Sequence, residues 1–152
     1  MAQEIIKDKN TIKVMGEYFA CAELARQNIV ATLTLRNTEM FDILATTKKG
    51  KTFLIQVKAT IKDYKKWNIG KKGEMFVKDN FYYIFVYIGS QGEYPEFYIV
   101  PSKVASNIVK ETASKYFSNK RRDGKDRVDL GMRHIGAEEV KDYKDKWQLL
   151  QD

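Results

Sequence analysis

The chain has 152 residues, with 27 Lys and Arg against 20 Asp and Glu, a formal net charge of +7. That length suits a single domain, residues 1–152, with a core of its own, and 43% hydrophobic residues exclude a disordered polyelectrolyte. The lone cysteine, Cys21, excludes an internal disulfide and fits a reducing compartment. No apolar run is long enough to span a bilayer and no secretory leader pattern is present, so a soluble, cytoplasmic protein without a membrane partner is expected. A basic balance favours a polyanionic partner, nucleic acid among the candidates.

Residues 1–10 read as a loose arm. Asn10 or Thr11 is a fitting N-cap, and a helix is expected from Thr11 to about Asn28. At about 100° per residue, Lys13, Gly16, Glu23 and Gln27 fall on its expected solvent face. Glu17 lies off that arc, beside Val14, Cys21 and Leu24. A carboxylate on the shoulder of an apolar stripe is costly without a partner; if the helix rolls, Glu17 is simply exposed. Glu23 reads as an ordinary surface residue.

Ile29 to Arg36 alternates and is β-branched, so it reads as a strand. Phe41–Ala45 and Thr52–Lys58 are two further strands joined by Lys48-Lys49-Gly50. Residues 60–80 are basic and irregular, broken by Gly70 and Gly73, with a short strand possible at Trp67-Asn68-Ile69. Phe81 to Ile88 is nearly all apolar or aromatic and reads as a buried central strand. Glu96 to Val100 is another strand, and Pro101 opens a helix to about Phe117. Residues 118–136 form a basic loop. An amphipathic helix over residues 137–150 places Val140, Tyr143, Trp147 and Leu150 on one face. This order predicts an α/β domain with a mixed central sheet flanked by helices.

The first hairpin carries the most chemistry. Thr-Lys-Lys-Gly-Lys-Thr fits a three-residue loop with glycine in the left-handed bulge position. Thr47 then pairs with Lys51, Asp42 lies opposite Gln56, and Lys58 shares that face. A two-residue loop would shift the register by one and turn Asp42 to the other face. In the three-residue register a carboxylate, an amide and a lysine meet among otherwise apolar strands. Asp42 and Lys58 could also be no more than a structural ion pair across the hairpin.

Gly16-Glu17 on a helix, then a strand, then Phe41-Asp42-Ile43, then Ile55-Gln56-Val57-Lys58, resembles the PD-(D/E)XK nuclease superfamily. This is the restriction-endonuclease-like group, and the Holliday-junction-resolvase-like branch is the best match. The motif covers roughly residues 11–60, and the element order extends to about residue 117. The resemblance implies a three-layer fold and metal-dependent endonuclease activity on DNA, with RNA less favoured, and Mg²⁺ or Mn²⁺ as cofactor. Asp42 would be the central metal ligand. Gln56 stands where the family usually has an acidic residue, and the Val57 carbonyl would add a further ligand. Glu17 would complete the shell, and Lys58 would position or activate the attacking water. Mg²⁺ prefers such oxygen ligands, and a bound metal polarises a phosphoryl oxygen. A homodimer also fits the family.

Lysines crowd the segment around this site. Lys48, Lys49, Lys62, Lys65, Lys66, Lys71 and Lys72, joined by Arg121 and Arg122, would neutralise DNA phosphates without reading sequence. Tyr64 and Trp67 could stack on bases, or simply pack. His134 is the only histidine, which excludes a His-based zinc site, and it reads as structural. Two other classes stay open. One is a DNA-binding module with a decayed site, motivated by Gln56. The other is a protein-interaction or inhibitor domain with no nucleic-acid role.

Overall fold

A computed structural model describes residues 8–35 and 40–152. Most of the expected N-terminal arm, and Arg36 at the end of the expected first strand, lie outside the described residues.

Helix α1 spans Lys9–Arg26. It begins two residues earlier than the Asn10 or Thr11 cap predicts, because Asp8 caps it. The Asp8 carboxylate accepts from the Thr11 amide at 2.9 Å and the Thr11 hydroxyl at 2.6 Å, satisfying orphan donors of the first turn. Asn28, with φ 60°, turns the chain out of the helix into β1, Val30–Leu33. Strands β2 (Ile43–Thr46) and β3 (Thr52–Thr60) form the expected hairpin. The short strand β4 (Lys66–Asn68) follows, then a 3₁₀ turn at Lys71–Glu74 and the central strand β5 (Phe81–Tyr87). After β6 (Glu96–Pro101) comes α2 (Ser102–Ser118). The basic loop is shorter than expected, since β7 occupies His134–Gly136 and pairs with β4.

The protein is α/β, with a mixed five-stranded sheet in the order β1-β2-β3-β5-β6. Only the β3–β5 pair is parallel. One face carries Ile43, Phe53, Ile55, Val57, Ile84 and Ile99 and packs on Ala20 and Leu24 of α1. The other carries Phe81, Tyr83, Phe85 and Val100 and packs on Ala105 and Val109 of α2. Both faces of β5 are buried, which is why its sequence is a near-continuous apolar run.

Two expectations fail for a tertiary reason. Two positions of α1 expected in solvent are packed instead: Gly16 and Glu23 are buried beside Ala20 and Leu24, while Lys13 stays exposed as expected. Gly16 lets the helix sit against β3, where an added Cβ would fall 2.5 Å from the Ala59 Cβ. Glu23 is therefore not a surface residue. It is 7% exposed and accepts from Arg26, Gln27 and the Tyr94 hydroxyl, which offset its burial.

The last segment is not one helix. It is two 3₁₀ stretches, Ala137–Tyr143 and Trp147–Leu150, separated by extended Lys144 and left-handed Asp145. The Asp145 amide donates to the Phe97 carbonyl at 2.9 Å, and Lys144 bridges Tyr98, so the segment runs along the β6 edge. Val140 and Tyr143 pack on the α2 face, whereas Trp147 and Leu150 pack on the α1 face. A single helix presents one stripe, and here the chain must cover two faces around an edge.

Candidate active site

The hairpin turn sets the register of the site. The Thr47 amide donates to the Lys51 carbonyl at 2.9 Å, and Gly50 takes φ 85°, as the three-residue loop requires. The ladder runs from Thr46↔Thr52 to Ile43↔Ile55. Extended by one residue, that register sets Asp42 opposite Gln56.

Asp42 stands just before β2, where its backbone is held from both sides. Its amide donates to the Ile55 carbonyl at 2.8 Å, and its carbonyl accepts from the Thr34 amide at 2.9 Å. Its carboxylate accepts from the Val57 amide at 2.8 Å, so the side chain takes the place of a ladder partner and its direction is fixed. The other carboxylate oxygen lies 3.4 Å from Lys13 Nζ, and Glu17 Oε1 lies 3.5 Å from the same ammonium. Both carboxylate side chains are mostly covered, at 14% and 17% exposure. Two acids from different elements thus converge on one cation.

Lys13 was placed on the solvent face by periodicity, and sequence reasoning missed it as a site residue. Its signal was the Lys13–Glu17 spacing of one helical turn. Burial works against its charge, but Asp42 and Glu17 outweigh that and hold the ammonium above the ordinary lysine value. Lys58 behaves oppositely. It is half-buried in β3, and burial pushes its ammonium below the usual lysine range, aided by Lys13 and opposed by the nearby Asp42 carboxylate. Gln56 is half-buried on the Lys58 face, and its amide makes no hydrogen bond among the described residues. Val57 is buried at the centre of the sheet. Cys21 is partly covered, and burial, with Glu17 adding to it, raises its thiol to about 11, which leaves it inert.

The predicted phosphate-binding residues separate into groups. Lys62 and Lys66 join Lys13 and Lys58 around a cleft of about 1070 Å³ between the N-terminal part of α1, the end of β3, α2 and the loop before β7. Lys48 and Lys49 lie at the hairpin tip, roughly 17 Å along the strand from Asp42 at about 3.3 Å per residue. Lys65 is held by Glu96 at 3.0 Å and Lys71 by Asp129 at 2.9 Å. Lys72 is exposed in the 3₁₀ turn, and Arg121 and Arg122 border a separate small hollow. Trp67 corrects the stacking expectation. It is 2% exposed, packed between Phe85 and Tyr98, and its Nε1 donates to the Val86 carbonyl at 3.0 Å, so no base can reach its face. His134 is exposed at the cleft margin, beside buried Arg133, which is clamped by Glu74 and by both oxygens of Asp129.

Among the described residues, no group of three or more His, Cys, Asp or Glu side chains is placed to hold a metal ion. No helix among them is long and apolar enough to cross a membrane. Compared with known proteins, the chain matches no protein-family model and no curated relative.

Proposed function

We propose that this chain is a metal-dependent endonuclease that hydrolyses DNA phosphodiester bonds on a restriction-endonuclease-like fold. The observation that carries the reading is the convergence of Asp42 and Glu17 on one cation, with Lys58 in the field of Asp42. Lys13 Nζ marks a position where a single positive charge touches both carboxylates. Two hard oxygen donors meeting there suit Mg²⁺ or Mn²⁺, which would keep several waters. The free amide of Gln56 and the Val57 carbonyl are further oxygen donors on the strand opposite Asp42. A bound divalent ion would supply Lewis acidity toward the phosphoryl oxygen and lower the pKa of water.

The chain's own residues divide the remaining work. Asp42 is pre-oriented by the Val57 amide, so ligand geometry costs little reorganisation. Glu17 rides on α1 and completes the pair. Lys58, half-buried and in the field of Asp42, is suited to orient the attacking water and to face the phosphate as a cation. Lys62 and Lys66 on the cleft rim favour a polyanion.

The test is Mg²⁺-dependent cleavage of a DNA panel that holds supercoiled plasmid, blunt duplex and duplex with a single-stranded arm. Asp42→Ala and Lys58→Ala are expected to abolish it while circular dichroism and melting remain near wild type. Undiminished cleavage by either variant refutes the reading.

A second reading has its own observation. Lys13 already occupies the position between the two carboxylates, which suits a DNA-binding module without turnover. Calorimetry with Mn²⁺ separates the two: a site lost in Asp42→Ala favours the nuclease, and no heat in the wild type favours the binding module.

A further inference from the structure

The cleft beside Lys58 differs from a surface built only to hold duplex backbone. Its lining is aromatic and apolar as well as cationic. Tyr64, from the loop after β3, and Tyr116, from α2, both line it at 61% and 51% exposure. A cation lies over each ring: Lys62 Nζ at 5.4 Å from the Tyr64 centroid and the Arg127 guanidinium at 4.2 Å from that of Tyr116. The loop before β7 adds Leu130 and Met132 to the same lining, at 79% and 57% exposure. Large apolar side chains left this open within one concavity mark a surface that meets a partner. Among the described residues, the only carboxylate in the lining is Asp129, which is already claimed by Arg133 and Lys71, so the free charge they give the cleft is positive.

Exposed rings interleaved with cations are what unpaired bases require. Every base offers a π-face to an aromatic ring, while the adjacent phosphate meets the ammonium or guanidinium. Paired bases inside a duplex offer no such face. The cleft, at about 1070 Å³, has room for a few unstacked nucleotides.

We infer that the cleft receives an unpaired DNA segment next to the scissile phosphate, so that the substrate is DNA with a single-stranded arm or gap rather than uninterrupted duplex. This rests on the nuclease reading for the scissile phosphate, whereas Tyr64 and Tyr116, which would carry the unpaired bases, lie outside the proposed metal ligands.

The experiment is fluorescence anisotropy on the Asp42→Ala protein in EDTA, which removes catalysis from the measurement. The probes are a labelled single strand, a blunt duplex of the same sequence, and that duplex with a single-stranded overhang. The single strand and the overhang duplex are expected to bind at least tenfold more tightly than the blunt duplex. Tyr64→Ala and Tyr116→Ala are each expected to weaken single-strand binding by about tenfold, whereas Tyr64→Phe and Tyr116→Phe retain it. Equal affinity for blunt and overhang duplexes, or alanine variants that bind the single strand as the parent does, overturns the inference. Loss of nicking with retained single-strand preference would fault the nuclease reading alone.

Discussion

Gly16→Ala tests the close approach of α1 to β3 and its hold on the site. In an isolated helix this change is favourable by about 1 kcal/mol. Here the new methyl would lie 2.5 Å from the Ala59 Cβ and 3.5 Å from Val57 Cγ1. Carbon atoms rest at about 3.5–4.0 Å, so helix and strand must part by about 1 Å. The Ala59 Cβ has no rotamer to yield, so the strain falls on backbone. Overpacking of this kind costs about 1–3 kcal/mol, leaving a net loss of roughly 1 kcal/mol and a Tm lower by about 2–4 °C. The functional effect should be larger than the thermal one. Helix α1 carries Lys13 and Glu17 while β3 carries Lys58, and a misplacement of about 1 Å can cost about 10²-fold in rate. Differential scanning calorimetry and a Mg²⁺-dependent nicking assay on the same preparation measure both. A variant with raised Tm and full activity would refute the packing argument, since helix propensity would then have won.

Two further outcomes follow from the site and the core. Lys58 has its folded-state pKa depressed below 10.5 by burial, so between that depressed value and 10.5 the unfolded chain binds more protons and stability rises with pH. Urea denaturation at pH 8 and pH 10 should show this rise in the wild type and its loss in Lys58→Met, and the wild-type nicking rate should level off at a pH below 10.5. A wild-type pH dependence shared by the methionine variant would count against it. Trp67→Ala should cost about 3–5 kcal/mol through a buried cavity, with DNA affinity unchanged at temperatures where the variant stays folded. A variant that is as stable as wild type yet binds DNA poorly would restore Trp67 as a contact residue.

The site was legible where local chemistry decides. Asp42, Gln56 and Lys58 share one end of the hairpin because a three-residue turn with Gly50 at positive φ admits one register, and every element of that inference lies within residues 42–58. Glu17 was legible from the cost of its position. Lys13 was not, because its role depends on Asp42 arriving from another element, and periodicity alone assigned it to solvent. The lysines at the hairpin tip show the same limit in reverse, being near Asp42 in sequence and a strand's length away in space.

The sequence by itself determined the strands of the five-stranded sheet, the hairpin register and the central position of β5, but not β7, since alternation, turn residues and an unbroken apolar run are local signals. Only the tertiary structure decided which face of α1 is buried, how the C-terminal segment turns and where Trp67 points. Gly16 falls on the expected solvent face by periodicity, yet its lack of a side chain permits the close packing against β3 that buries it. The C-terminal segment has helical spacing, but its apolar residues belong to two faces of the sheet, and left-handed Asp145 carries the chain around the β6 edge from one to the other. Periodicity describes one surface at a time, whereas an edge strand must be covered on two.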